Sequence, residues 1–127
     1  LSIDYECRVN PVYPMPGIEE AITFLNDQNF AKGIVSNAQF FTPLLFPALM
    51  GKSLKELGFE ENLQIWSFAE GQGKPSTSLF HHLAEALQPF NITPAQTLYI
   101  GNDLRNDIWP PADFKPHFSQ AINAPFD

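Results

Sequence analysis

Only one cysteine, Cys7, occurs in the 127 residues. An intrachain disulfide and a cysteine-based metal site are therefore excluded, and a reducing, cytoplasmic setting is the expectation. Basic residues are scarce as well, 7 Lys and Arg against 14 acids for a net charge of −7, and they are scattered singly. A nucleic-acid partner would need a basic stripe, so that class of function is set aside. Long apolar runs are missing too. None approaches the ~20 residues that span a bilayer, and the first residues do not read as a signal peptide.

What the chain does have is enough apolar material for one domain with its own core: 44% hydrophobic residues, including 12 Phe. Eight of its 12 Pro gather around positions 11–16, 43–47 and 110–116, which punctuate the chain into elements. Leu1 to Val9 alternates apolar and polar residues throughout and predicts a half-buried strand. Asn10 to Gly17 is a stiff connector. A helix is predicted for Ile18 to Asn29, a buried strand for Lys32 to Val35, and a helix kinked or split by Pro43 and Pro47 for Gln39 to Met50. Gly51 and Gly58 bound a short piece from Lys52 to Leu57. Gln64 to Ala69 is the next strand candidate, followed by the turn Glu70 to Pro75 and a helix from Ser76 to Gln88 with one apolar stripe. Thr93 is placed to cap a short turn at Pro94-Ala95. Thr97 to Ile100 is a strand, its following helix cut short by Pro110 and Pro111, and a last strand lies within Phe114 to Ile122. Strand, helix, strand, helix, strand, helix predicts an α/β fold with a parallel sheet.

Polar residues collect at the C-terminal tips of these strands, where open α/β sheets bind ligands. Ser36 and Asn37 end the first, Lys74 follows the second, and Asn102, Asp103, Asn106 and Asp107 end the third. Asp103 and Asp107, four residues apart, can converge on a hard cation. Alternatively, Asp103 and Asn106 only cap the helix that follows. A hydroxyl, a lysine and an acid pair together suit an anion held beside a divalent metal, as a phosphoryl group requires. His81 and His82 lie off the apolar stripe of their helix and read as surface residues. His117 stands alone, and Trp66 and Trp109 read as core or interface aromatics.

The stretches Ile34-Val35-Ser36-Asn37-Ala38, Gly73-Lys74-Pro75 and Tyr99-Ile100-Gly101-Asn102-Asp103-Leu104-Arg105-Asn106-Asp107-Ile108 resemble the second, third and fourth motifs of the haloacid dehalogenase superfamily. Pro14-Met15-Pro16-Gly17 is similar to the lead-in that follows the cap insertion in many members. The similarity runs from about Pro11 to Ala112. It implies a Rossmann-like three-layer α/β/α core and a Mg2+-dependent phosphatase of small phosphorylated metabolites, working through an aspartyl phosphate. By resemblance, Ser36 with Asn37 binds phosphate, and Lys74 holds both the phosphate and the nucleophile. Asp103 and Asp107 bind or orient the metal, with Asn102 standing where many members carry the acid. Whether Asn102 or Asp103 takes the ligand position stays open. A relative that cleaves carbon–halogen bonds, and a non-catalytic module that binds a partner, are the alternatives.

The resemblance has one gap. The first motif, an Asp-x-Asp pair on an apolar strand, is absent, and Asp4-Tyr5-Glu6 fails as a substitute in its strand context, its second acid and its position. In the family that strand is central, flanked by the strands ending at Ser36 and Asp103. Two open edges are therefore expected here. The whole chain reads as one such core domain, incomplete at its N-terminus, with residues 1–16 as post-cap strand and connector. The expectation is that the nucleophile strand and cap lie upstream in a longer protein. The segment Leu1 to Val9, or self-association with a second copy, would otherwise fill the gap.

Overall fold

The computed structural model describes residues 2–9, 11–113 and 119–122. It is an α/β chain that divides into two compact units, residues 1–32 with 39–61, and residues 33–38 with 62–127. Among the described residues no helix is long and apolar enough to cross a membrane.

Among its described residues the first unit holds three α-helices. Helix α1 (Ser2–Val9) replaces the strand expected from the alternating pattern. A strand with no neighbour leaves its backbone groups unpaired, whereas a helix pairs them within itself. Arg8 and Asp4 meet one turn apart at 3.4 Å, both well exposed, and such a pair contributes little. This segment therefore does not supply a missing strand. Helix α2 (Ile18–Asp27) forms as predicted and buries Ile22. The region with Pro43 and Pro47 splits as predicted, into a 3-10 turn at Thr42–Leu44 and helix α3 (Leu45–Met50). The piece from Lys52 to Leu57 is a set of turns and not a helix, although Leu54 and Leu57 are buried. Asn26 ties it to α2, since its Nδ2 donates to the Leu57 carbonyl at 3.3 Å while its Oδ1 accepts from buried Lys32.

Strand β1 (Lys32–Ser36) matches the prediction in position but not in burial, because Ile34, Val35 and Ser36 are only half-buried. Strand β2 (Phe59–Trp66) pairs with β1. It starts earlier than predicted, because Glu60, Glu61 and Asn62 are poor strand formers that are tolerated on an exposed surface. It also ends earlier, since Ser67–Glu70 forms a helical turn, α4, closed by Gly71 in the left-handed region at φ 71°.

The core of the second unit is built on helix α5 (Ser78–Leu87). Its stripe of Leu79, Phe80, Leu83 and Leu87 packs with Leu63 and Ile65 of β2, and Val35 and Tyr99 lie against the cluster. Thr93 and Gln96 form the expected capped turn before strand β3 (Leu98–Gly101). Tyr99 sets its ring edge-to-face on Phe80 at 5.0 Å between centroids, while the alternate residues Leu98 and Ile100 are exposed. Strand β4 (Ser119–Ile122) runs parallel to β3, in register from Leu98 opposite Ser119 to Gly101 opposite Ile122. The rest of the predicted last strand, Phe114 to Phe118, lies outside the described residues. The two strand pairs, β1 with β2 and β3 with β4, are separate among the described residues and do not join as one sheet.

Pro110 and Pro111 do not end the helical region. They sit in the first turn of α6 (Trp109–Asp113), fully buried, after a π-helical turn at Leu104–Ile108. First-turn backbone N–H groups have no partner within a helix, so proline is tolerated there.

Phe80 is fully buried in this core. Phe80→Ala is expected to cost about 3–5 kcal/mol, read as a lower urea midpoint with an unchanged slope.

Candidate active site

Asp107 is the centre of the polar cluster at the tips of β1 and β3. Its Oδ1 accepts from Lys74 Nζ at 2.5 Å and from the Tyr99 hydroxyl at 3.1 Å. Its Oδ2 accepts the backbone N–H groups of Asn102 at 3.2 Å and Asp103 at 3.1 Å. Side-chain exposure of Lys74 and Asp107 is 9% and 10%, so the ion pair is largely out of water. Glycine at 101 is required by this packing, because a methyl group there would overlap the Asp107 side chain. The loop from Gly101 to Asp103 is thus wrapped around a carboxylate one turn further along the chain.

Lys74 completes the network. Besides Asp107, its ammonium reaches the Tyr99 oxygen at 3.1 Å and the Val35 carbonyl of β1 at 3.4 Å, so all three N–H groups have acceptors. The single hydrogen of the Tyr99 phenol is shared between Asp107 and the Val35 carbonyl at 3.3 Å. Side chains from β3 and from the loop after α4 therefore satisfy a β1 carbonyl that a neighbouring strand would otherwise bond. The loop carrying Lys74 is anchored by Asn37. Lys74 N–H donates to Asn37 Oδ1 at 2.6 Å, and Asn37 Nδ2 donates to the Lys74 carbonyl at 2.9 Å. Ser67 Oγ accepts from Ala38 N–H at 2.9 Å and donates to Ala38 O at 3.2 Å, fixing the tip of β1 from the other side.

The site residues read from the sequence divide into two sets. Asn37, Lys74, Asn102, Asp103 and Asp107 are linked through the contacts above, and half-buried Ser36 lies between Val35 and Asn37, its hydroxyl 3.4 Å from the Asn37 carbonyl. Asp103 does what the capping alternative requires, its Oδ1 accepting Asn106 N–H at 2.9 Å, with the rest of the exposed carboxylate facing solvent. Asn102 is exposed and only its backbone is engaged. His81 is exposed, and half-buried His82 sits 2.6 Å from Glu70, away from this cluster. His117 lies outside the described residues. Trp66 is buried in the core, whereas Trp109 is 59% exposed.

Tyr99 is the residue of this cluster that the sequence reading did not single out. Its signal was the two-residue period of the strand, which places Tyr99 and Gly101 on one face and Leu98 and Ile100 on the other.

Oxygen donors at the tip of β3 include the second carboxylate oxygen of exposed Asp103 and the side-chain amide of exposed Asn102. No group of three His, Cys, Asp or Glu able to hold a metal occurs among the described residues. An all-oxygen set of one carboxylate and one amide suits a hard cation such as Mg2+, which commonly takes few protein ligands and completes its shell with phosphate and water.

Electrostatics follow the geometry. Burial alone would raise the Asp107 pKa, but hydrogen bonds from Lys74 and Asp103, the Lys74 charge and the Tyr99 hydroxyl together hold it below the ordinary carboxylate range. Burial, and then the Asp107 charge and hydrogen bond, push the Tyr99 phenol far above its usual range. A depressed carboxylate pKa contributes stability that is present above the unfolded value of about 4 and is lost as pH falls through the folded value. The stability difference between wild type and Asp107→Asn, measured by thermal unfolding from pH 7 to pH 2, is therefore expected to shrink below about pH 4. For Tyr99 the sign is reversed, with stability present below about pH 10 and lost above it. Ultraviolet titration curves of wild type and Tyr99→Phe are expected to coincide through pH ~10.

Comparison with known proteins adds the family. No curated protein matches the chain. The profile of the haloacid dehalogenase-like hydrolases matches residues 3–113, which covers most of the chain and all three strand tips that build the cluster. The chain belongs to the haloacid dehalogenase-like hydrolases.

Proposed function

We propose that this chain forms the phosphate-holding and metal-orienting part of a Mg2+-dependent phosphatase acting on a small phosphorylated metabolite. The observation that carries the proposal is the Lys74 ammonium, buried and oriented by Asp107 and Tyr99 at the end of β1. A buried cation held in one orientation is preorganised for the negative charge of a phosphoryl group.

In this reading Ser36 donates its hydroxyl to one phosphoryl oxygen and Lys74 an N–H to another. The N–H released is the one on the Val35 carbonyl, whose contact is the longest of the three at 3.4 Å. Asp107 stays ionised and keeps Lys74 oriented. Its four acceptor contacts leave it to orient the loop, while Asp103 and Asn102 would hold the cation. The metal would neutralise charge on the phosphoryl oxygens. These 127 residues hold no Asp-x-Asp pair on an apolar strand, and in this reading the attacking carboxylate would come from outside them.

The full-length protein is expected to release phosphate from phosphate monoesters with Mg2+, to stop on chelation, and to lose about 100-fold or more in kcat/KM in Lys74→Ala. Activity that survives both treatments would sink the proposal. Halide release from a 2-haloacid without metal would favour the dehalogenase alternative.

A further inference from the structure

We infer that Asn37 is a positioning residue for Lys74, coupling the tip of β1 to the lysine loop through a two-point clasp. The inference rests on the phosphatase reading above and extends it to a residue that the resemblance placed on the phosphate.

The clasp runs in both directions between one side-chain amide and one main-chain unit. Lys74 N–H donates to Asn37 Oδ1 at 2.6 Å, and Asn37 Nδ2 donates to the Lys74 carbonyl at 2.9 Å. One hydrogen bond would fix a distance and leave the loop free to rotate about it. Two antiparallel bonds, arranged like a rung of a sheet, fix orientation as well. The neighbouring residue is shaped to admit them, because a Cβ at Gly73 would stand 2.7 Å from Asn37 Oδ1 and 3.2 Å from its Cγ. Gly73 does not sit at a positive φ, so the demand for glycine is one of space. The base of the clasp is itself held, since Ser67 Oγ bonds both polar backbone atoms of Ala38. With the Lys74 main chain set in this way, its side chain reaches the Asp107 carboxylate, the Tyr99 hydroxyl and the Val35 carbonyl at once.

The chemistry selects an amide at this position. Alanine removes both bonds. Aspartate keeps an acceptor for the Lys74 N–H but presents a second oxygen to the Lys74 carbonyl, which repels it.

The test uses the full-length protein with two readouts. The first is amine labelling followed by peptide mass spectrometry. In Asn37→Ala, Lys74 is expected to label at least ~10-fold faster, the scale of one lost hydrogen bond, while buried Lys32 in the other unit keeps its wild-type rate. The second is steady-state hydrolysis of p-nitrophenyl phosphate with Mg2+. Asn37→Ala and Asn37→Asp are expected to lower kcat by ~10-fold or more with KM changed less than about threefold. Gly73→Ala should act in the same direction and add little in the Asn37→Ala background, where its methyl group meets no amide. Unchanged Lys74 labelling in Asn37→Ala overturns the inference whatever the activity. So does a loss confined to KM, which would make Asn37 a substrate contact, or full additivity with Gly73→Ala. Absence of phosphate release by the wild type would sink the phosphatase reading instead, and Lys74 labelling alone would then decide whether the clasp positions the lysine.

Discussion

The arrangement of the second unit depends on one buried carboxylate. Asp107 accepts four hydrogen bonds, two from side chains and two from backbone N–H groups. Taking a charge out of water is costly unless every lone pair finds a donor, and here each does. Removing one partner of such a pair costs about 3–5 kcal/mol, because the other charge is left buried and uncompensated. Lys74, Tyr99 and the loop from Gly101 to Asp103 therefore hold their places together. The Tyr99 ring extends the dependence to the apolar core through Phe80.

Which residues gather at the site was legible in the sequence, and what each one does was less so. Lys74 and Asp107 stood out because a lysine after a glycine turn and acids after an apolar strand are visible along the chain. Asp107 as a closed hub and Asn37 as an anchor were hidden, because each follows from which donor lies nearest in space, whereas the cap at Asp103 was one of the two roles its place before a helix offered. The elements show the same division. The stripe of α5 and the split at Pro43 and Pro47 follow local rules and formed as expected. The N-terminal segment alternates like a strand yet is helical, since alternation decides only where a partner strand exists. Pro110 and Pro111 looked like a stop and proved to be a helix start, because a proline's meaning depends on its position within the turn.

Membership in the haloacid dehalogenase-like hydrolases fits the α/β chain and the three strand tips. The departure at Asn102 acquires a physical reading from the hub. The backbone N–H of Asn102 is committed to Asp107, which leaves its side chain exposed at the tip. In the phosphatase reading proposed above, a neutral amide there would contribute less to a cation than a carboxylate, and more of the holding would fall to Asp103.

The closure of the Lys74 and Asp107 pair bears on how an anion is admitted. Their charges cancel, and these 127 residues carry a net charge of −7. From a distance such a surface exerts no pull on a phosphate ester or on the chloride and carboxylates that outnumber it. If Lys74 holds a phosphoryl group as proposed, attraction would begin only at contact, for a group with enough oxygen acceptors to take an N–H away from the Val35 carbonyl. In the phosphatase reading, selection would therefore be a matter of exchange at short range and not of capture by a field.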